Sequence, residues 1–126
     1  MAKTKFIKEY EKACAKLKRS TAIPDVSGFP ERKRLSMIAE HKLETIIEAN
    51  NEKWVANIAD TDQKKWYPWH RVIKDDSSPL GFRLSFGGSY YVLGRSFLGA
   101  RLACCSQELS DYLGKEHEVL YAELRA

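Results

Sequence analysis

Apolar positions in the first third of the chain recur at helical intervals. Phe6, Tyr10, Cys14 and Leu17 form a stripe that Ile7 and Ala13 widen, with lysines over most of the rest. This spacing predicts an amphipathic helix from Thr4 to about Arg19. Lys16, Lys18 and Arg19 suit its last turn, whereas Lys3 and Lys5 oppose the helix dipole at its start and predict fraying there. Ser20 to Pro30 holds two prolines and a glycine and reads as a linker or loop. Pro30 is placed to begin a second helix running to about Asn50, with Leu35, Ile38, Ala39, Leu43, Ile46 and Ile47 on its apolar stripe. Asn50 and Asn51 read as its stop, since asparagine tolerates the left-handed conformation that closes helices. Glu40, Glu44 and Glu48 read as a solvated row.

Beyond Asn51 the period shortens toward two. Trp54–Ala59 predicts a short strand broken by Asp60–Gln63, and Lys64–Ile73 is β-prone apart from Pro68, which confines the segment to an edge strand or a bulge. Asp75–Pro79 is turn chemistry. Leu80–Phe86 alternates, Gly87-Gly88 suits a tight hairpin turn, and Ser89–Leu93 can return as the next strand. Leu98–Cys105 alternates again and feeds, through Ser106 as N-cap and Glu108 in the first turn, a C-terminal helix with Leu109, Leu113, Leu120 and Leu124 on one stripe. Gly114 inside that helix predicts either close approach of its backbone to the sheet or a break. The expected fold is α+β, a short antiparallel sheet of three to five strands packed against two or three helices. Residues 1–30 form a basic amphipathic helix and linker and residues 31–126 the α+β domain, one compact domain together. The first helix either packs on the others or associates with another chain through Phe6, Tyr10 and Leu17.

Composition narrows the class. At 126 residues and 44% hydrophobic, the chain has material for one core. It shows no apolar run of membrane-span length and no secretory signal, so the expectation is a cytoplasmic protein without membrane contact. Cys14, Cys104 and Cys105 are odd in number and lack paired spacing, and read as reduced thiols. The net charge of +4 is uneven: Met1–Arg34 carries ten Lys/Arg against four Asp/Glu, and Ser106–Ala126 two against five. A solvated amphipathic face is the first reading of the basic segment, and an anionic partner the second.

Catalytic chemistry finds no signature. Cys104 and Cys105 alternate on a predicted strand near a helix bearing His117, but nothing flanking them activates a thiol. His41, His70 and His117 lack metal-ligand spacing, and the glycines match no phosphate-binding fingerprint. The expectation is a protein that is not an enzyme and takes neither cofactor nor metal. What exceeds background is Lys64, Lys65, Trp66, Tyr67, Trp69, His70 and Arg71, joined across the sheet by Arg83, Tyr90, Tyr91, Arg95 and Arg101. Rings interleaved with cations suit core packing, a protein interface or homo-oligomer contact, or a single-stranded nucleic-acid platform, taken here in that order.

Five blocks carry a resemblance: Leu43–Asn51 with Trp54, then Lys65-Trp66-Tyr67-Pro68-Trp69, then Gly81–Phe86, then Gly99–Cys104, then Glu108–Lys115. Over the last two-thirds of the chain this pattern resembles a group of small uncharacterised proteins encoded in phage and prophage regions of gut anaerobes. The group has no known activity, so the resemblance implies a setting and not a mechanism. Its members often carry a longer Tyr, Ser and Asp run where this chain has Gly87–Ser96, which implies a different binding preference if that loop binds. The sequence therefore predicts a phage-type accessory protein acting by binding through the aromatic and basic surface, with single-stranded nucleic acid as the alternative ligand and a thiol- or His-dependent enzyme as the third reading.

Overall fold

The stripe Ala39, Leu43, Ile46 and Ile47 is fully buried and makes α2 (Glu31–Asn51) the longest element of the computed structural model, which describes residues 5–94 and 100–126. Pro30 stands at its N-cap, one residue outside the helix. Along α2 lie α1 (Tyr10–Leu17) and, near the C-terminus, α4 (Glu118–Arg125). Tyr10, Ala13 and Cys14 enter the same core as α2, so the N-terminal helix packs within the chain. α1 is shorter than predicted, because the residues before it are extended and bonded elsewhere. The Asn50 side chain accepts from Ile7 N and donates to Ile7 O, both at 2.8 Å, giving that segment a strand-like partner in place of a helical turn.

Among the described residues the sheet is a two-stranded antiparallel ribbon, β1 (Lys65–Lys74) and β2 (Phe82–Val92), and not three to five strands. Three expectations fail for separate reasons. Trp54–Ala59 forms no strand, since Gln63 takes its backbone groups: Asn57 N donates to Gln63 Oε1 at 2.7 Å and Gln63 Nε2 donates to Val55 O at 3.0 Å. The hairpin turn is Asp75–Gly81, where Asp75 Oδ1 accepts from Ser77 N at 3.0 Å and Gly81 supplies the positive φ of 81°. Gly87-Gly88, expected at a turn, instead lies inside β2 at a bulge opposite Trp69 and His70. Of the expected strand Leu98–Cys105, Leu98 and Gly99 lie outside the described residues, and Ala100–Leu102 is a 3-10 turn. Leu102, Ala103 and Cys104 are buried in succession, which no alternating strand does. Among the described residues of that segment only Cys104 pairs with β1, exchanging bonds of 2.8 and 3.1 Å with Trp66. That contact makes the outer side of β1 the edge on which Pro68 can spare its N–H, as the sequence predicted.

Ser106 caps α3 (Gln107–Glu116) as expected, accepting from Leu109 N at 3.2 Å. The C-terminal helix breaks at His117, three residues past Gly114, and continues as α4. α3 and α4 both pack on the ribbon. His117 Nε2 donates to Lys8 O at 2.7 Å and His70 Nε2 donates to Gly114 O at 2.9 Å. Burial, outweighing these hydrogen bonds, pushes both imidazole pKa values below the ordinary value. As pH falls through about 6.5 the unfolded chain takes up protons that the folded rings refuse, so stability is full above that pH and declines below it. Thermal midpoints should fall from pH 7.5 to pH 5.5, and the slope should flatten in His70→Gln/His117→Gln; an equal slope in that variant would remove the histidines as the cause.

Candidate functional site

The exposed chemistry of the ribbon is set by its register. Trp66 pairs with Tyr91, their ring centroids 5.0 Å apart, and Lys64 Nζ sits 4.8 Å from the Tyr91 ring. Tyr67 pairs with Tyr90 and stacks on it at 5.6 Å. Trp69 pairs with Gly88 and lies flat over both glycines: a Cβ on Gly88 would come 3.1 Å from the indole nitrogen, and one on Gly87 would strike the six-membered ring. The Arg71 guanidinium carbon is 5.6 Å from the Trp69 ring. Arg83 pairs with Ile73, and its Nε is 3.6 Å from the Asp75 carboxylate. Side chains alternate along a strand, so Lys64, Trp66 and Tyr91 occupy one face, and Trp69, Arg71 and Arg83 the other.

The twelve residues singled out in the sequence do not form one platform. Lys64, Trp69, Arg71, Arg83 and Tyr91 are exposed, with Trp69 at 41% and Tyr91 at 45%, and Trp66 is half-buried. Lys65 is a correction: it is 1% exposed, and its Nζ closes the preceding turn by donating to Asp60 O at 3.0 Å and Gln63 O at 3.2 Å. Tyr67 is buried in the core, Tyr90 is half-buried against it, and His70 faces Gly114, Phe86 and Tyr121. Arg95 lies outside the described residues. Arg101 leaves the sheet altogether and stands 3.9 Å from Glu44. The residues that sequence reasoning passed over are Gly87 and Gly88, the floor under Trp69; a glycine pair inside an otherwise β-prone run is the signal that could have found them.

Arg101 borders a separate cavity of about 630 Å³ along α2, where Glu44, Glu48 and Glu52 face Trp54. Of the row read as solvated, Glu44 and Glu48 line this concavity, whereas Glu40 lies outside it and is exposed. Arg19 Nη1 donates to Glu48 at 2.9 Å, while burial, reinforced by Glu40, raises the Glu44 pKa against the pull of Arg101. Neither thiol is activated: burial raises the pKa of both Cys104 and Cys105, and His117 is bonded to Lys8. Among the described residues no group of three or more His, Cys, Asp or Glu could hold a metal ion, and no helix is long and apolar enough to cross a membrane.

With this geometry in hand, comparison with protein-family models, curated proteins and solved structures gives no match.

Proposed function

We propose that the protein is an accessory protein, of the phage or prophage type its sequence pattern resembles, that works by binding an acidic, extended segment of a partner protein through Trp69, Arg71 and Arg83. The observation that carries this reading is the seating of Trp69. Its ring is 41% exposed yet fixed on the glycine pair, with a guanidinium beside it, so an aromatic and cationic anchor is presented with little side-chain entropy left to lose. Single-stranded nucleic acid is the second reading, because the same groups can stack on bases and follow phosphates. The division of the rings between two faces disfavours it: successive bases need successive rings on one side.

The test is titration with a labelled Asp/Glu-rich peptide containing one aromatic residue, and with a labelled single-stranded oligonucleotide, at low and physiological salt. Peptide binding that weakens roughly tenfold or more in Trp69→Ala/Arg71→Ala, with circular dichroism unchanged, is the expected result. Oligonucleotide binding at physiological salt with no peptide binding would overturn it in favour of the second reading, and equal peptide affinity in wild type and variant would overturn it outright.

A further inference from the structure

Away from the exposed face, where α2, β1 and α4 meet, lies a second cavity of about 350 Å³ bordered by Glu40, Tyr67, Leu102, Tyr121, Leu124 and Arg125. Its size is at the small end of ordinary ligand pockets. Two of its lining residues carry an unresolved polar requirement. Tyr67 is 1% exposed and Tyr121 3%, and the hydroxyl of each has no hydrogen-bond partner among the described residues. Buried hydroxyls are nearly always paired, so two orphaned phenols lining one cavity point to a guest that pairs them.

The lining also says what kind of guest. Burial raises the pKa of both phenols, so they remain O–H donors in search of acceptors. Ser36 Oγ already donates to Leu124 O at 2.6 Å, which leaves the phenols and Arg125 as the donors available. The Arg125 guanidinium stands 5.7 Å from the Tyr121 ring and donates from Nη1 to Tyr121 O at 2.9 Å, with no carboxylate partner among the described residues. Glu40 is the single acid of the lining; it and Arg125 are both exposed, so solvent screens the two alike. The remaining wall is apolar, from Pro68, Leu102 and Leu124.

We propose that this cavity binds a small carboxylate with a compact apolar body, the carboxylate accepting from the Tyr67 and Tyr121 hydroxyls and Arg125 while the body lies against Pro68, Leu102 and Leu124. Each hydroxyl oxygen is itself sealed from the open space, so both rings must turn toward the guest on binding. The site is independent of the Trp69 face, and either can fail without the other.

The experiment uses the full chain with butanoate, hexanoate, octanoate and benzoate, each against its matched alcohol, by thermal melt and calorimetric titration. At least one carboxylate should raise the melting midpoint at millimolar concentration and bind roughly tenfold more tightly than its alcohol, and Tyr67→Phe/Tyr121→Phe should lose roughly tenfold in affinity. Without ligand that double variant should melt at or above the wild-type midpoint, because it deletes two buried, unpaired hydroxyls at nearly constant shape. A panel in which no carboxylate shifts the midpoint, or affinity unchanged by the double substitution, would overturn the proposal. So would a double variant that melts several degrees lower or fails to fold, since its hydroxyls would then be bonded within the protein itself.

Discussion

Asn51→Ala should lower the stability of the protein by about 2–4 kcal/mol, out of proportion to the few atoms removed. Asn51 Nδ2 donates to Ala103 O at 2.9 Å, and Cys105 N donates to Asn51 Oδ1 at 2.8 Å. The side chain thus spans Cys104, which among the described residues is the one outside the two strands that bridges to the ribbon. Ala103 is fully buried, so its carbonyl cannot turn to water once the amide is gone. Removing one partner of such a pair leaves the other with its full desolvation penalty, and here a carbonyl and an N–H are stranded together. The damage should spread to Trp66, whose backbone bonds to Cys104 depend on the clamped segment. Urea denaturation with the tryptophan signal checks this, and Asn57→Ala, on an exposed turn, serves as the control with little effect. An Asn51→Ala midpoint within a few tenths of a molar of wild type would show that the segment is held by packing alone.

Asn50 and Asn51 mark where sequence reasoning reached and where it stopped. α2 was legible because its stripe is long and regular, and a helix end near residue 50 was expected, but the positive φ of 56° falls on Glu52 and on neither asparagine. In the structure both asparagines are helical, and their partners lie 43 residues away at Ile7 and 52 and 54 away at Ala103 and Cys105. No periodicity contains that information. Pro68 on an edge and Ser106 as a cap were legible because a missing N–H and a hydroxyl acceptor have consequences within a few residues. The strand count was not, because two turn signals competed. Asp75–Gly81 closes the hairpin, whereas Gly87-Gly88 serves the Trp69 ring, a tertiary demand that produces the same dipeptide. Lys65 failed for a related reason: a lysine in a β-prone run reads as solvated until the two carbonyls that hold its ammonium are seen. As for the surface, residue types identified the ribbon, but only the register showed that its aromatic and cationic groups divide between two faces.

Gly114 separates local from tertiary preference most sharply. In a helix taken alone, Gly114→Ala would gain about 1 kcal/mol of propensity. In the folded chain the added Cβ would lie 2.6 Å from Phe86 Cδ1, 2.7 Å from Phe86 Cε1 and 2.7 Å from Pro68 Cβ. A phenyl ring and a pyrrolidine have little freedom to yield, and Phe86 is held from behind, its N–H donating to Glu118 at 2.7 Å. α3 must therefore move off the ribbon. That displacement strains the His70 bond to Gly114 O and, one turn earlier, the Ser89 contacts to Ser110 at 2.7 Å and Asp111 at 2.6 Å. Overpacking of this kind costs about 3 kcal/mol at its upper range, so the net expectation is a loss of about 2 kcal/mol despite the better helix former. Adding Phe86→Leu should recover part of the loss, because the smaller side chain vacates the space the methyl needs, and the recovered fraction measures how much of the cost is this one collision. If Gly114→Ala instead raised the melting midpoint, the helix would not be in close contact with the ribbon at all, and the seating of α3 on Pro68 and Phe86 would have to be abandoned.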